Sequence, residues 1–210
     1  MNTFDTFAQA LDWFGIVVFA VSGSLVASRK QMDVVGFILL GTVTGVGGGS
    51  LRDVLLGQLP VFWIREPVYL LVCTAVSLAA FFAAQIPASR YTVLLWCDAI
   101  GMALFSVSGA EIALLAGAAS PVAVAMGVVT ATFGGIIRDI LGGESPVVLR
   151  REVYVTAALT GAALFVALTK LGLGREGALT IGFLAAAAIR FAAIRWAWSL
   201  PRYRPRPPSK

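Results

Sequence analysis

Two segments place consecutive glycines beside an adjacent arginine and aspartate within long apolar stretches. The first reads Thr44-Gly45-Val46-Gly47-Gly48-Gly49-Ser50-Leu51-Arg52-Asp53, and the second reads Thr130-Ala131-Thr132-Phe133-Gly134-Gly135-Ile136-Ile137-Arg138-Asp139. Ionisable groups at membrane depth are expensive, so they pair internally or face a polar path. Each glycine costs about 1 kcal/mol in a helix relative to alanine. A kink or break is therefore expected at Gly47, Gly48 and Gly49, and again at Gly134 and Gly135. Broken backbone inside a bilayer survives only where protein or water covers its polar groups. The chemistry that fits is passage of a small polar solute. Freed carbonyls attract cations, while helix N-termini attract anions or carboxylates, and the residues alone leave both open. The competing reading of the glycines is close helix packing.

The Arg52-Asp53 and Arg138-Asp139 pairs either ring the mouths of a path, gating it, or lock helix ends at the interface with each arginine snorkelling. Neighbouring residues on a helix do not face each other, so each aspartate is expected to bond another partner. Ser22, Ser108, Thr44 and Thr130 supply hydroxyls that could line a path. Glu111 lies in an apolar stretch one turn after Ser108 and is a candidate cation or proton site. Asp12 and Asp98 read as helix-start carboxylates complementing the macrodipole. Lys170, Arg175, Arg190 and Arg195 read as interfacial anchors. The chain has no histidine, which removes imidazole metal sites and histidine bases. Neither a nucleophile–base pair nor a metal cluster supports an enzyme, and no cofactor is expected. Cys73 and Cys97 both fall in apolar stretches and read as small core hydrophobes.

The elements that must position these residues are membrane helices. The chain of 210 residues is 59% hydrophobic and 13% charged, with a mean hydropathy of +0.88. Soluble domains carry about 25% charged residues. Windows long enough to span, at roughly 20 residues each, fall near 11–29, 34–57, 67–86, 92–115, 120–142, 152–171 and 177–197. Breakers separate them: Arg29-Lys30, Pro60, Pro87, Pro121, Pro146 and Gly172 to Gly174. Met1 to Ala10 holds no lysine or arginine, so the first stretch is read as a retained helix rather than a signal peptide.

The first six spans are two copies of three. Arg138 follows Arg52 by 86 positions, as Asp98 follows Asp12, Gly101 follows Gly15 and Ser108-Gly109 follows Ser22-Gly23. An odd number of spans per copy starts the second on the opposite side of the membrane, giving an inverted repeat. The expected fold is an all-α membrane protein of seven transmembrane helices, three plus three inverted, with one extra. The expected divisions are 1–89, 90–172, the seventh helix within 173–200 and a basic, proline-rich tail at 201–210. Arg29, Lys30, Arg90, Arg150, Arg151, Arg202, Arg204, Arg206 and Lys210 fall on one side, against Arg65, Lys170 and Arg175 on the other. The positive-inside rule then puts the N-terminus outside and the C-terminus in the cytoplasm of a multi-pass bacterial inner-membrane protein. The tail either holds this orientation or touches anionic lipid headgroups. Neither reading involves nucleic acid.

Glycines followed by Arg-Asp-x-Leu, then Gly, Pro and Arg-Glu, twice in a seven-span chain, resemble the prokaryotic branch of the trimeric intracellular cation (TRIC) channels. That family also carries a glycine-transporter label. The resemblance covers about Leu11 to Trp198. It implies a homotrimer with one pore per subunit at the glycine-broken second and fifth spans, passing potassium or sodium ions. Phe133 stands where a third glycine would be in the second motif, so the breaks need not be equally sharp. Animal members have a Lys-Glu-Val lipid-binding motif where this chain reads Leu51-Arg52-Asp53-Val54. A secondary transporter for glycine or another small amino acid is the alternative reading, with an arginine or helix N-terminus on the carboxylate and Glu111 coupling protons.

Overall fold

The computed structural model describes residues 3–84, 89–150 and 152–201, with side chains from residue 12 onward. Pro87, Arg151 and the basic tail from Arg202 lie outside the described residues. Helix α1 is Thr3–Arg29, α2 is Val34–Leu55, α3 is the single turn Phe62–Arg65, and α4 is Val68–Ala83. The second copy follows with α5 at Arg90–Leu115, α6 at Ser120–Leu141, a short 3-10 turn at Val147–Leu149 and α7 at Val155–Lys170. Helix α8, Arg175–Trp196, completes the chain.

The starts are set locally. Asp33 caps α2 by accepting from the Gly36 N–H at 2.9 Å, and Ser89 caps α5 by accepting from the Thr92 N–H at 3.3 Å. Pro121 sits in the first turn of α6, where its missing N–H costs nothing. Both ends of α6 fall 86 residues after those of α2, so the repeat seen in sequence is a repeat of helices. Among the described residues, five helices are long and apolar enough to cross a membrane. Helices α4 and α7 have only 16 residues each, about 24 Å at 1.5 Å per residue. Helix α7 is shorter than its apolar window because Glu152 to Tyr154 belong to the loop before it, whereas α4 starts within one residue of where its window does.

Helices α1, α2, α5 and α6 form the centre, with α4 beside α1 and α2, α7 beside α5 and α6, and α8 across α5 and α7. Phe19 and Phe105, 86 positions apart, meet there edge to face with ring centroids 5.1 Å apart. Gly15 and Gly101 make room for them: a methyl on Gly15 would lie 2.9 Å from the Phe105 ring, and one on Gly101 would collide with the Phe19 ring. The fold is thus the three-plus-three inverted repeat with an added helix.

Candidate functional site

The glycine segments do not break their helices. Helix α2 runs continuously through Gly47, Gly48 and Gly49, and α6 through Gly134 and Gly135. What the glycines supply is approach. A methyl on Gly48 would overlap the Thr130 carbonyl oxygen, and one on Gly134 would overlap the Thr44 carbonyl oxygen. Each helix lays its glycine on the other's backbone, a reciprocal crossing of the small-residue kind. The packing gain over this crossing offsets the intrinsic helix cost of the glycines. Gly49 faces the Phe62 ring, 2.7 Å from its would-be methyl, and Gly135 faces the Asp98, Tyr154 and Arg138 side chains. Gly135 has the loosest fit of the five, with nothing nearer than 3.4 Å, and Gly47 meets Ile137 Cδ1 at 3.2 Å.

The hydroxyls at this crossing are buried and turned back on their own helices. Thr44 Oγ1 donates to the Leu40 carbonyl at 2.5 Å, and Thr130 Oγ1 donates to that of Met126 at 2.7 Å. Ser22 Oγ donates to the Phe19 carbonyl at 3.1 Å. Ser108 Oγ, also buried, makes no hydrogen bond among the described residues.

The Arg-Asp pairs close both ends of the crossing. In the second copy Arg138 is fully buried. Its Nη1 donates to Asp98 Oδ1 at 2.6 Å and to Ser22 Oγ at 2.9 Å. Its Nε donates to Asp139 Oδ1 at 2.9 Å. Asp139 Oδ2 accepts from the Val147 N–H at 2.9 Å, tying the 3-10 turn to α6. In the first copy Arg52 Nε and Nη2 donate to Asp53 Oδ1 at 3.0 and 2.8 Å. Asp53 Oδ2 accepts from the Phe62 N–H at 2.8 Å and so starts α3. Adjacent residues do pair here, contrary to the expectation from helix geometry, because the long arginine stem folds back at the last turn. Each aspartate also takes the second partner that was expected. None of the four snorkels: Arg52, Asp53, Arg138 and Asp139 are all 5% exposed or less.

Asp12 and Asp98 are not helix-start residues. Both lie more than two turns inside their helices, since α1 and α5 begin at Thr3 and Arg90, before the strongly apolar pattern. Asp98 is bonded to Arg138, whereas Asp12 accepts from Tyr69 Oη at 3.4 Å. Among the described residues no ion pair joins Asp12 to Arg52. A cavity of about 10 Å³ remains between them, lined also by Gly49, Phe62, Phe105 and Thr130. That is the size of one water.

Of the residues expected as interfacial anchors, Arg190 is internal instead, and Arg175 is half-buried at a helix end with an ion-pair partner. Arg175, at the start of α8, pairs with Glu111, which places Glu111 in an ion pair between α5 and α8. Arg190 is 1% exposed. It donates to Glu152 Oε2 at 2.7 Å and lies over the Tyr154 ring, 4.9 Å from its centroid. Lys170 and Arg195 are exposed at helix ends, as anchors would be. Sequence reasoning missed Tyr69, Tyr154 and the Phe19/Phe105 pair, although the 86-residue offset of the phenylalanines was available as a signal. Among the described residues no His, Cys, Asp or Glu cluster could hold a metal ion.

Comparison with known proteins gives this geometry a family. A family model described as "Glycine transporter" matches twice, over residues 9–85 and 95–170, one copy on each half of the repeat. A TRIC trimeric intracellular cation channel orthologue from Rhodobacter sphaeroides superposes with a TM-score of 0.90 at 60% identity, covering 92% of this chain and 100% of that one. The chain belongs to the prokaryotic TRIC family. A prokaryotic TRIC channel crystallised in 0.5 M KCl superposes with a TM-score of 0.87 at 30% identity, over 93% of this chain and 99% of that one. The inner membrane protein YadS of Escherichia coli K12 is 40% identical over 195 residues, 92% of this chain and 94% of its own length. A membrane protein of Vibrio cholerae is 42% identical over 92% of this chain and 81% of its own length. This TRIC-family chain is accordingly a multi-pass inner-membrane protein.

Proposed function

We propose that this protein is a cation channel, a homotrimer permeable to potassium, with a path in each subunit among α1, α2, α5 and α6. The observation that carries this is the charge of the two buried clusters. Asp98 and Asp139 bond Arg138 in one, and in the other Asp53 bonds Arg52 while the half-buried Asp12 shares a small cavity with it, so each holds two carboxylates and one guanidinium. The formal charge of each is therefore −1, so both ends of the α2–α6 crossing favour a cation over an anion. Likeness to TRIC cation channels at 60% and 30% identity supports the same reading.

On this reading Arg52 and Arg138 hold carboxylates at membrane depth rather than attracting anions. The path passes the small cavity at Asp12, Arg52 and Thr130, with Ser22, Ser108 and Thr44 lining it further on. The Phe19/Phe105 pair and the Gly48 and Gly134 crossing close it in this conformation, and a modest sliding of α2 against α6 opens it. Gly47 and Gly135, whose would-be methyls meet nothing nearer than 3.2 Å, are the positions least opposed to that sliding. The repeats occupy 1–89 and 90–172, the seventh helix lies in 173–200, and the tail is 201–210. The lysine and arginine bias sets the N-terminus outside and the C-terminus in the cytoplasm.

A carrier for glycine is the second reading, favoured by the description of the matching family model. Potassium efflux from liposomes tests the channel reading. Asp12→Asn is expected to slow efflux severalfold while leaving the unfolding temperature unchanged. Full efflux from well-folded Asp12→Asn would remove Asp12 from the path.

A further inference from the structure

The two ends of the bundle share one backbone design and differ in charge. Where α1 and α6 finish, the Met32 and Glu144 N–H groups donate to the Ala27 and Asp139 carbonyls at 3.0 and 2.8 Å. At the opposite end, where α5 and α2 finish, the Ala118 and Gln58 N–H groups donate to the Ala113 and Asp53 carbonyls at the same 3.0 and 2.8 Å. The matching turns stand 86 positions apart. Their side chains do not repeat. Arg29, Lys30 and Glu144 occupy one end, and Leu115, Ala116 and Gln58 occupy the corresponding positions of the other.

At the charged end three cations converge on one carboxylate. Glu144 lies 3.1 Å from Arg29, 3.6 Å from Lys30 and 3.7 Å from Arg150, and its own side chain is only 13% exposed. Arg150 belongs to the same loop as Glu144 and is held there by neutral partners. It donates from Nε and Nη2 to the Ser145 carbonyl at 3.1 and 2.9 Å, and from Nη1 to Tyr91 Oη at 2.8 Å. Arg29 and Lys30 belong to α1. Glu144 is therefore the ionic link between α1 of the first repeat and the α6–α7 loop of the second. The Arg29 guanidinium also lies over the Tyr91 ring, 4.9 Å from its centroid, which brings in the start of α5.

The formal charge of these four groups is +2. Without the Glu144 carboxylate, Arg150 would repel Arg29 and Lys30, and the two repeats would be pushed apart at this end. The three cations are 26–36% exposed, so dissolved salt reaches them. The Debye length falls from about 30 Å at 0.01 M salt to about 10 Å at 0.1 M and about 3 Å at 1 M. A tie made of such pairs weakens across that range, while the backbone hydrogen bonds of the turns carry no net charge to screen.

We propose that Arg29, Lys30 and Glu144 form an ionic latch between the two repeats, released as ionic strength rises at this end, which is cytoplasmic in the proposed orientation. The uncharged end has no such response. Resting on the channel reading, release frees the end of α6 against which α2 slides, so the path opens as cytoplasmic salt rises.

Hydrogen–deuterium exchange of the full chain in phosphatidylcholine nanodiscs, whose headgroups carry no net charge, tests the latch at about 20 mM and about 500 mM potassium chloride. Amides of residues 30–32 and 142–144 are expected to exchange about tenfold faster at the higher salt, the combined worth of three partly exposed ion pairs. The matching amides of residues 116–118 and 56–58 should not respond. Glu144→Gln should exchange fast at 30–32 and 142–144 at both salts. The double variant Arg29→Gln with Lys30→Gln, which leaves Glu144 its pair with Arg150, should do the same. Equal salt responses at the two ends, or wild-type protection at low salt in either variant, would overturn the latch. In phosphatidylcholine bilayers, N-methylglucamine chloride added on the cytoplasmic side should raise the wild-type open probability and leave that of Glu144→Gln unchanged. Wild-type currents indifferent to it would overturn the latch's control of opening. A silent bilayer with the exchange response intact would keep the latch and count against the channel reading alone.

Discussion

The two halves of the repeat hold the same residues in the same register and bond them differently. Around Arg138 of the second half, Asp98, Asp139 and the first half's Ser22 form one closed cluster. Around Arg52 of the first half, the matching Asp12, Asp53 and the second half's Ser108 are split. Asp12 turns to Tyr69, Arg52 keeps only its neighbour Asp53, and Ser108 makes no hydrogen bond among the described residues. The duplicated motif therefore specifies where charges sit, while the packing around each copy decides how tightly they are held. On the proposed channel reading, the tight set holds the bundle and the loose set is the one to rearrange around a cation.

The largest contrast is expected at the acidic pair. Removing one partner of a buried ion pair costs about 3–5 kcal/mol, because a charge is left without compensation. Asp98→Ala should lose near the lower end of that range by thermal unfolding in detergent, since Asp139 still pairs with Arg138. Asp12→Ala should lose no more than about 1.5 kcal/mol, the low end for a hydrogen bond to a charged group, since the Tyr69 contact is long. Equal losses would erase the distinction between tight and loose sets.

The glycine crossing should be symmetric where the ion clusters are not. Gly48→Ala and Gly134→Ala each force a methyl against a carbonyl oxygen, an overpacking that costs about 1–3 kcal/mol. Gly47→Ala meets only the end of the Ile137 side chain and should cost a fraction of that. Unfolding temperatures of the three variants check the order, and a Gly47→Ala loss as large as the others would contradict it.

A smaller difference separates the serines. A hydrogen bond to a charged group is worth about 1.5–3 kcal/mol, and the Ser22 bond to Arg138 is of this type. Ser22→Ala should fall near the low end of that range, since Arg138 keeps both of its carboxylates. Ser108→Ala should be neutral by the same unfolding measurement.

Much of this architecture was legible beforehand, for identifiable reasons. Seven apolar windows and a constant offset locate the helices and their order, and α2 and α6 reproduce the 86-residue register at both ends. Arg52, Asp53, Arg138 and Asp139 stand out because a charge in an apolar window is conspicuous. The role of Gly47 to Gly49 and of Gly134 and Gly135 was not legible in the same way. A run of glycines reads alike whether it breaks a helix or admits another, and only the Thr44 and Thr130 carbonyls opposite them decide. Asp12 was misplaced because α1 starts at Thr3, ahead of the apolar pattern that marks it, and Asp98 was read by its match to Asp12 although α5 starts two turns before it. Arg190 and Arg175 looked like anchors because their partners, Glu152 and Glu111, lie 38 and 64 residues away.

Single-channel recording of the purified protein in a planar bilayer, under a potassium chloride gradient, tests the central claim most directly. Buried clusters of net negative charge around the α2–α6 crossing predict discrete currents that reverse near the potassium equilibrium potential. A silent bilayer, with saturable glycine uptake by liposomes from the same preparation, would contradict it and make the protein a carrier.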